Sequence, residues 1–160
     1  MAENPSGDDN LAGNPFTDMD GDIHYNGTTV YTEDASFSGQ ILQISPTKLL
    51  GYGAGAGGAV TQITSITTGV TLSKPCGQIT TVASTLAAAA EAEFVVTNTL
   101  VSASDVIVVS TTYDGGGTPI IYVRKVAAGA FTVGITNVHA SAALDAVVVI
   151  NFAVLNVTAA

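Results

Sequence analysis

Residues able to support catalysis or bind a transition metal are few and widely separated in this 160-residue chain. The two histidines, His24 and His139, stand far apart, and the single cysteine, Cys76, lies between a proline and a glycine. A thiol nucleophile needs a base within reach and a group that orients that base. A zinc site needs Cys or His ligands at close spacing. We therefore expect no catalytic residues, no metal and no cofactor.

Two local patterns imitate binding motifs without completing them. Asp18–Asp22 has the alternating acids of a calcium loop, but Thr29 stands where an EF-hand needs its closing Glu. Gly53–Gly58 matches GxGxxG, yet a β-branched segment follows instead of a helix, and no acid lies between Asp34 and Glu91. We interpret the first as a solvated acidic turn, with a loose divalent-cation site as the alternative, and the second as a hinge.

The charge balance and the hydropathy of the sequence each exclude one class of partner. Thirteen acids face four bases, and the formal net charge is -9. Eight of the acids precede residue 48, so residues 1–47 carry -8 and the remainder carries five acids minus four bases, or -1. Phosphate binding requires a basic footprint, so we expect no nucleic-acid partner. No run of about 18 apolar residues exists to span a bilayer, so we expect no membrane partner.

Residues 59–157 have the composition and turn spacing of an all-β domain. Thr, Val and Ile dominate, and turn signals recur at the spacing typical of sandwiches and barrels. The predicted strands are 59–64, 69–73, 77–83, 92–98, 105–112, 119–126, 130–138 and 146–157. The alternation within them predicts half-buried strands of an antiparallel, jelly-roll-like β-sandwich. In the alanine-rich segment 86–93, we favour a loop running into a strand over a single helical turn.

The shift in charge and the glycine content divide the chain into three parts. Residues 1–50 are predicted to form an extended acidic arm with short β pieces. Residues 51–58 are predicted to form a glycine-rich hinge, because glycine loses much backbone entropy in regular structure. Residues 59–160 form the predicted sandwich domain.

The last predicted strand is apolar on both faces. Val148, Ile150, Phe152 and Val154 alternate with a second apolar set, consisting of Val147, Val149, Ala153 and Leu155. Such a strand is either central between two layers or buried against a partner chain. We predict that the second set forms an interface between copies.

Five of the ten Phe and Tyr residues lie in the front third of the chain. Disordered tails are usually depleted in aromatics, so these rings either fold back on the sandwich or dock onto another protein. We predict the second, with contacts to another protein by Phe16, Tyr25, Tyr31 and Phe37.

Three segments carry a resemblance to a known family. Residues 58–81, GAVTQITSITTGVTLSKPCGQITT, resemble the opening of a domain found in structural proteins of tailed bacteriophages. Residues 93–98, EFVVTN, and 146–154, AVVVINFAV, resemble the same domain. That domain is associated with capsid decoration (cement) proteins and with head-fibre or knob proteins. The resemblance covers residues 58–157 and implies a β-sandwich, often trimeric, on the virion surface.

These observations predict a capsid decoration protein on the outer surface of the virion. It would bind the major capsid protein and stabilise the shell by bridging neighbouring subunits. The alternative is a head-fibre or tail adhesin module that binds host-surface glycans. Glycan binding would require exposed aromatics on the loops, and Tyr113 beside Asp114 is the one candidate.

Overall fold

The computed structural model describes residues 15–17, 23–25 and 51–158, and all of its regular elements are β-strands. The chain divides into two compact units, Met1–Leu49 and Leu50–Ala160. In the first unit, β1 (Pro15–Thr17) and β2 (Ile23–Tyr25) pair antiparallel. The rest of the predicted arm, with Tyr31, Phe37 and the whole acidic turn Asp18–Asp22, lies outside the described residues.

The second unit contains eight strands, which confirms the all-β prediction. They are β3 (Gly57–Thr61), β4 (Val70–Thr71), β5 (Cys76–Thr80), β6 (Glu91–Thr97), β7 (Val106–Thr112), β8 (Pro119–Ala127), β9 (Ala130–Asn137) and β10 (Val149–Leu155). Each overlaps one of the eight predicted strands. The alanine-rich segment has no helix: Leu86 forms an isolated bridge with Leu144, a turn follows, and β6 begins at Glu91.

The eight strands form two four-stranded sheets. The first sheet has the order β3-β5-β10-β7, and the second has the order β4-β6-β9-β8. Within them, β3 pairs with β5 and β4 pairs with β6 in parallel, whereas the other neighbours are antiparallel.

The parallel pairs correct the prediction of a wholly antiparallel fold. The chain passes from the first sheet to the second and back, so β3 and β5 run in the same direction. Hydrophobic periodicity reports which face of a strand is buried, but it does not report which strand lies beside it. A jelly roll consists of antiparallel Greek keys, and this strand order does not confirm the jelly-roll-like connectivity.

Both sheets contribute to one hydrophobic core. Ile79 and Ile150 from the first sheet and Val133 and Ile135 from the second are fully buried within the same cluster. The rings of Phe131 on β9 and Phe152 on β10 lie 5.3 Å apart between centroids, tilted by 57°. This sandwich-like arrangement leaves each sheet with a second, outward face.

Regular structure begins inside the predicted hinge, because Gly57 and Gly58 belong to β3. Close packing of Leu72 against β3 and β5 explains the need for glycine here. A Cβ atom at Gly58 would lie 2.8 Å from Leu72 Cδ1, and one at Gly77 would lie 2.7 Å from Leu72 Cδ2 and 2.8 Å from the Gly58 carbonyl oxygen. Leu72 can pack this closely on the two strands only where they have no side chains.

Two buried asparagines hold the loops. Asn98 donates from Nδ2 to the Lys74 carbonyl and accepts the Leu100 N–H at Oδ1. Asn137, which is fully buried, makes more bonds. Its Nδ2 contacts the carbonyl oxygens of Leu86, Ala87 and Ala142, and its Oδ1 accepts the N–H groups of Thr118 and His139. Three loops, around residues 86–87, 118 and 139–142, therefore depend on one amide.

Candidate interaction surface

The outward face of the first sheet has no charged side chain. Alternation along each strand and the pairing register place one set of residues on this face. They are Gly57, Ala59, Thr61, Cys76, Gln78, Thr80, Val149, Asn151, Ala153, Leu155, Val106, Val108, Ser110 and Thr112. We call this surface the neutral face.

The neutral face changes from polar to apolar along its strands. At one end Val149 lies between Thr80 and Thr112, and in the middle the Gln78 amide donates to Asn151 Oδ1. At the other end Ala153 is paired with Cys76 on one side and Val108 on the other, and Leu155 follows beside Val106. Val108 and Leu155 are 51% and 50% exposed.

Tyr52 borders the apolar end. Its hydroxyl donates to the Val154 carbonyl, which fixes the ring beside β10. A cleft of about 360 Å³ remains there, lined by Gly51, Tyr52, Ala153 and Leu155. The cleft has room for one or two apolar side chains from another molecule.

The structure confirms that β10 is apolar on two faces. Val148, Ile150, Phe152 and Val154 are buried in the core. Of the predicted interface residues, Val149, Ala153 and Leu155 lie on the neutral face, and Val147 is exposed just before the strand. That a second copy covers them stays a prediction.

The outward face of the second sheet has the opposite character. Glu91, Glu93, Arg124 and Lys125 all lie on β6 or β8. Arg124 forms an ion pair with Glu93, and this pair raises the pKa of the guanidinium. We call this surface the charged face. Exposed ion pairs of this kind contribute little to stability, and they keep the face hydrated.

Tyr122 lies flat on the charged face. A Cβ atom at Gly134 would lie 2.7 Å from Tyr122 Cε1, so the ring covers the glycine of the neighbouring strand. The hydroxyl donates to Glu91, and this hydrogen bond raises the pKa of the phenol above its usual value of 10.0. Glu91 and Glu93 therefore both have partners on β8.

The other residues considered for chemistry serve local structure. Cys76 lies on the neutral face in register with Gly57 and Ala153. Nδ1 of His139 accepts the N–H groups of Ser141 and Ala142, which closes a loop. Among the residues that the structure describes, no group of three or more His, Cys, Asp or Glu is placed to hold a metal ion. In the same residues, no helix has the length and apolarity to cross a membrane.

Tyr113, the one candidate for an aromatic that contacts glycans, is bonded inside its own loop. Its ring is half-buried against the core, and its hydroxyl donates to the Gly116 carbonyl and accepts the Asp145 N–H at 2.9 Å. Asp145 Oδ1 in turn accepts the Gly116 N–H at 2.6 Å. Tyr113 therefore closes the glycine-rich loop from inside. Sequence proximity to Asp114 gave no sign of this role.

Sequence reasoning missed the β7 side of the neutral face. Val106 and Val108 belong to the same surface as Leu155, but they were assigned only to a strand. Their alternation with buried Ile107 carried a usable signal, because it places two exposed valines on the outward side. Tyr52 was missed because its role depends on a contact 102 residues away in the chain.

No protein-family model matches this chain, and no curated protein or solved structure matches it either.

Proposed function

We propose that this chain is a capsid decoration (cement) protein of a tailed bacteriophage. It binds the outer surface of the major capsid shell and stabilises that shell by bridging neighbouring subunits. The observation that carries the proposal is the contrast between the neutral face and the charged face. Interface cores are depleted of charge, whereas solvated surfaces retain it. The resemblance of residues 58–157 to phage structural domains supports the same conclusion.

Self-association is part of the proposal, in the form of a homotrimer. Copies that each carry a formal charge of -9 repel one another. The neutral face lets two copies approach without placing charges opposite each other. Four strands about 4.8 Å apart and about 20 Å long give a face of about 400 Å². A stable interface buries about 800 Å² per partner, so the edges of the sheet contribute the remainder.

Attachment to the shell is assigned to residues 1–50, with Phe16, Tyr25, Tyr31 and Phe37 as anchors. Burial of one such ring contributes about 1.5–3 kcal/mol before ordering costs. Three arms on one trimer raise its apparent affinity for the shell through avidity. The finer fold expectation, a jelly-roll-like sandwich preceded by an extended arm, belongs to the same proposal.

Binding to bare capsid shells tests the attachment. The intact chain is mixed with shells and sedimented, beside a variant in which Phe16, Tyr25, Tyr31 and Phe37 are all replaced by Ser. We expect the intact chain to sediment with the shells and the variant to stay in the supernatant. Equal binding by the variant would show that the arm is not the anchor. Binding to host cells but not to shells would instead favour the alternative function, a glycan-binding adhesin.

Light scattering tests the self-association. Val108 on the neutral face and Val95 on the charged face are matched in type and exposure, at 51% and 46%. We expect a trimer for the intact chain and for Val95→Lys, and a monomer for Val108→Lys. A monomer at every concentration of the intact chain contradicts this part of the proposal.

A further inference from the structure

The edge strands of the two sheets differ in the features that prevent pairing with another chain. Edge strand β8 of the second sheet has Pro119, two adjacent cations and a bulge between Val123 and Lys125. The other edge strand, β4, is only two residues long. Proline, bulges, charges and short length are the features that prevent a sheet edge from pairing with another chain. Edge strands β3 and β7 of the first sheet have none of them.

The hydrogen bonds show which residues of β7 face outward. The N–H of Thr81 donates to the Val148 carbonyl and that of Val154 donates to the Pro75 carbonyl, so even-numbered residues of β10 bond toward β5. Odd-numbered residues of β10 therefore bond toward β7, where the register places even-numbered partners. The backbone groups that point away from the sheet at this edge belong to Ile107, Val109 and Thr111.

The same reasoning applies to β3. The N–H of Gln62 donates to the Thr80 carbonyl across the parallel pair, so even-numbered residues bond toward β5. The outward groups belong to Gly57, Ala59 and Thr61. Each edge thus presents three residues at two-residue spacing, over about 13 Å of strand. Within the described part of the chain, neither edge pairs with a further strand.

A cleft beside the β3 edge holds a buried acceptor without a donor. The cleft has a volume of about 300 Å³ and is lined by residues 60–64 and 68–71, between the end of β3 and β4. Gln62 is 3% exposed and donates from Nε2 to the carbonyls of Ile66 and Thr68. Its Oε1 is buried and has no hydrogen-bond partner among the residues that the structure describes. Next to it Ile63 is 88% exposed on this internally bonded loop.

These features together indicate an incoming strand. A buried acceptor without a partner destabilises the isolated chain and is relieved by a donor. Covering the exposed Ile63 side chain would remove apolar surface from water. The residues that line the cleft carry no charge, so a charged occupant would find no ionic partner among them. The occupant is therefore an uncharged, extended segment, and β7 of another copy has that chemistry.

We propose that the β7 edge of one copy pairs with the β3 edge of the next, head to tail. The incoming chain fills the cleft that Gln62 lines and covers Ile63. A contact between two different surfaces forms a closed ring when the rotation between copies closes and an open filament when it does not, and closure after three copies gives the proposed trimer. Within one sheet, β3 and β7 run in the same direction. When the symmetry axis of the ring lies along the strands, β7 of one copy therefore pairs in parallel with β3 of the next copy. This inference rests on the self-association in the proposed function.

Complementation between two edge variants tests the head-to-tail arrangement. Thr111→Pro removes an outward N–H from the β7 edge, and Ala59→Pro removes one from the β3 edge. Neither N–H belongs to the pairing within the sheet, so both variants keep the internal ladders. We expect each variant alone to be a monomer by sedimentation velocity. An equimolar mixture should form a dimer, because the intact β3 edge of one variant accepts the intact β7 edge of the other.

A second pair of variants does not depend on proline. Ile63→Lys should raise the dissociation constant of the trimer about tenfold or more, as loss of an interface anchor does. Leu100→Lys, at a loop residue that is 54% exposed, is the matched control and should leave the constant within about twofold.

The outcomes separate this inference from the proposed function. If the intact chain is a trimer but the mixed variants stay monomeric and Ile63→Lys has no effect, the head-to-tail pairing is wrong and the trimer stands. If the intact chain is a monomer at every concentration, both the pairing and the self-association are wrong.

Discussion

The amide of Asn137 allows a quantitative test of how the loops of the second unit are stabilised. Asn137→Ala removes a side chain whose Nδ2 has two hydrogens to share among three carbonyls, while Oδ1 accepts two N–H groups. Four hydrogen bonds are therefore lost. Asn98, which is equally buried, makes two side-chain bonds. At about 1 kcal/mol for each bond, we expect losses of about 4 kcal/mol for Asn137→Ala and about 2 kcal/mol for Asn98→Ala.

Urea unfolding followed by circular dichroism measures both free energies. The comparison is matched, because both variants exchange a fully buried Asn for Ala and leave cavities of similar size. The slope of unfolding free energy against urea should be unchanged, so the shift in midpoint reports stability alone. If Asn137→Ala costs no more than Asn98→Ala, the loops do not depend on that amide and our description of them is wrong.

Three further predictions concern Tyr122 and metal ions. Gly134→Ala should destabilise the chain by about 1–3 kcal/mol because it displaces the Tyr122 ring. In a Tyr122→Ala background, the same substitution should be neutral or stabilising by up to about 1 kcal/mol. An equal loss of stability in both backgrounds would contradict the described packing. The raised pKa of the Tyr122 phenol predicts that the stability from its hydrogen bond to Glu91 is present below pH 10 and is lost as the pH rises through the folded-state pKa. Titration followed by absorbance should show one tyrosine that ionises at higher pH than the others, and Glu91→Gln should abolish that difference. Chelator treatment should leave the melting temperature unchanged, and a drop of several degrees would show that a structural ion is bound, with Asp18–Asp22 as the first candidate site.

The strands of the second unit were predictable because local chemistry determines them. Thr-, Val- and Ile-rich segments between turn residues became strands, and the alternation of β10 gave both of its faces correctly. The alanine-rich segment also followed local reasoning: buried Leu86 pairs with Leu144, and the short stretch before Glu91 cannot sustain a helix.

Features that depend on neighbouring strands were not predictable in the same way. The parallel pairing of β3 with β5 arises because the chain crosses between sheets, and neither strand encodes that crossing in its periodicity. The neutral face appears only after four strands are placed in register. Polar residues such as Asn137 have low hydropathy, so a pattern of apolar residues does not identify them as buried. Their burial depends on acceptors that distant loops provide.

Cryo-electron microscopy of intact phage particles that carry this protein tests the central claim most directly. Our account predicts density for the protein on the outer surface of the shell, in groups of three, in contact with at least two capsid subunits. It also predicts that the neutral face is covered within each group and that the charged face, with Tyr122 and Arg124, lies in solvent. Absence of the protein from the shell, or a neutral face open to solvent on the particle, would contradict the account.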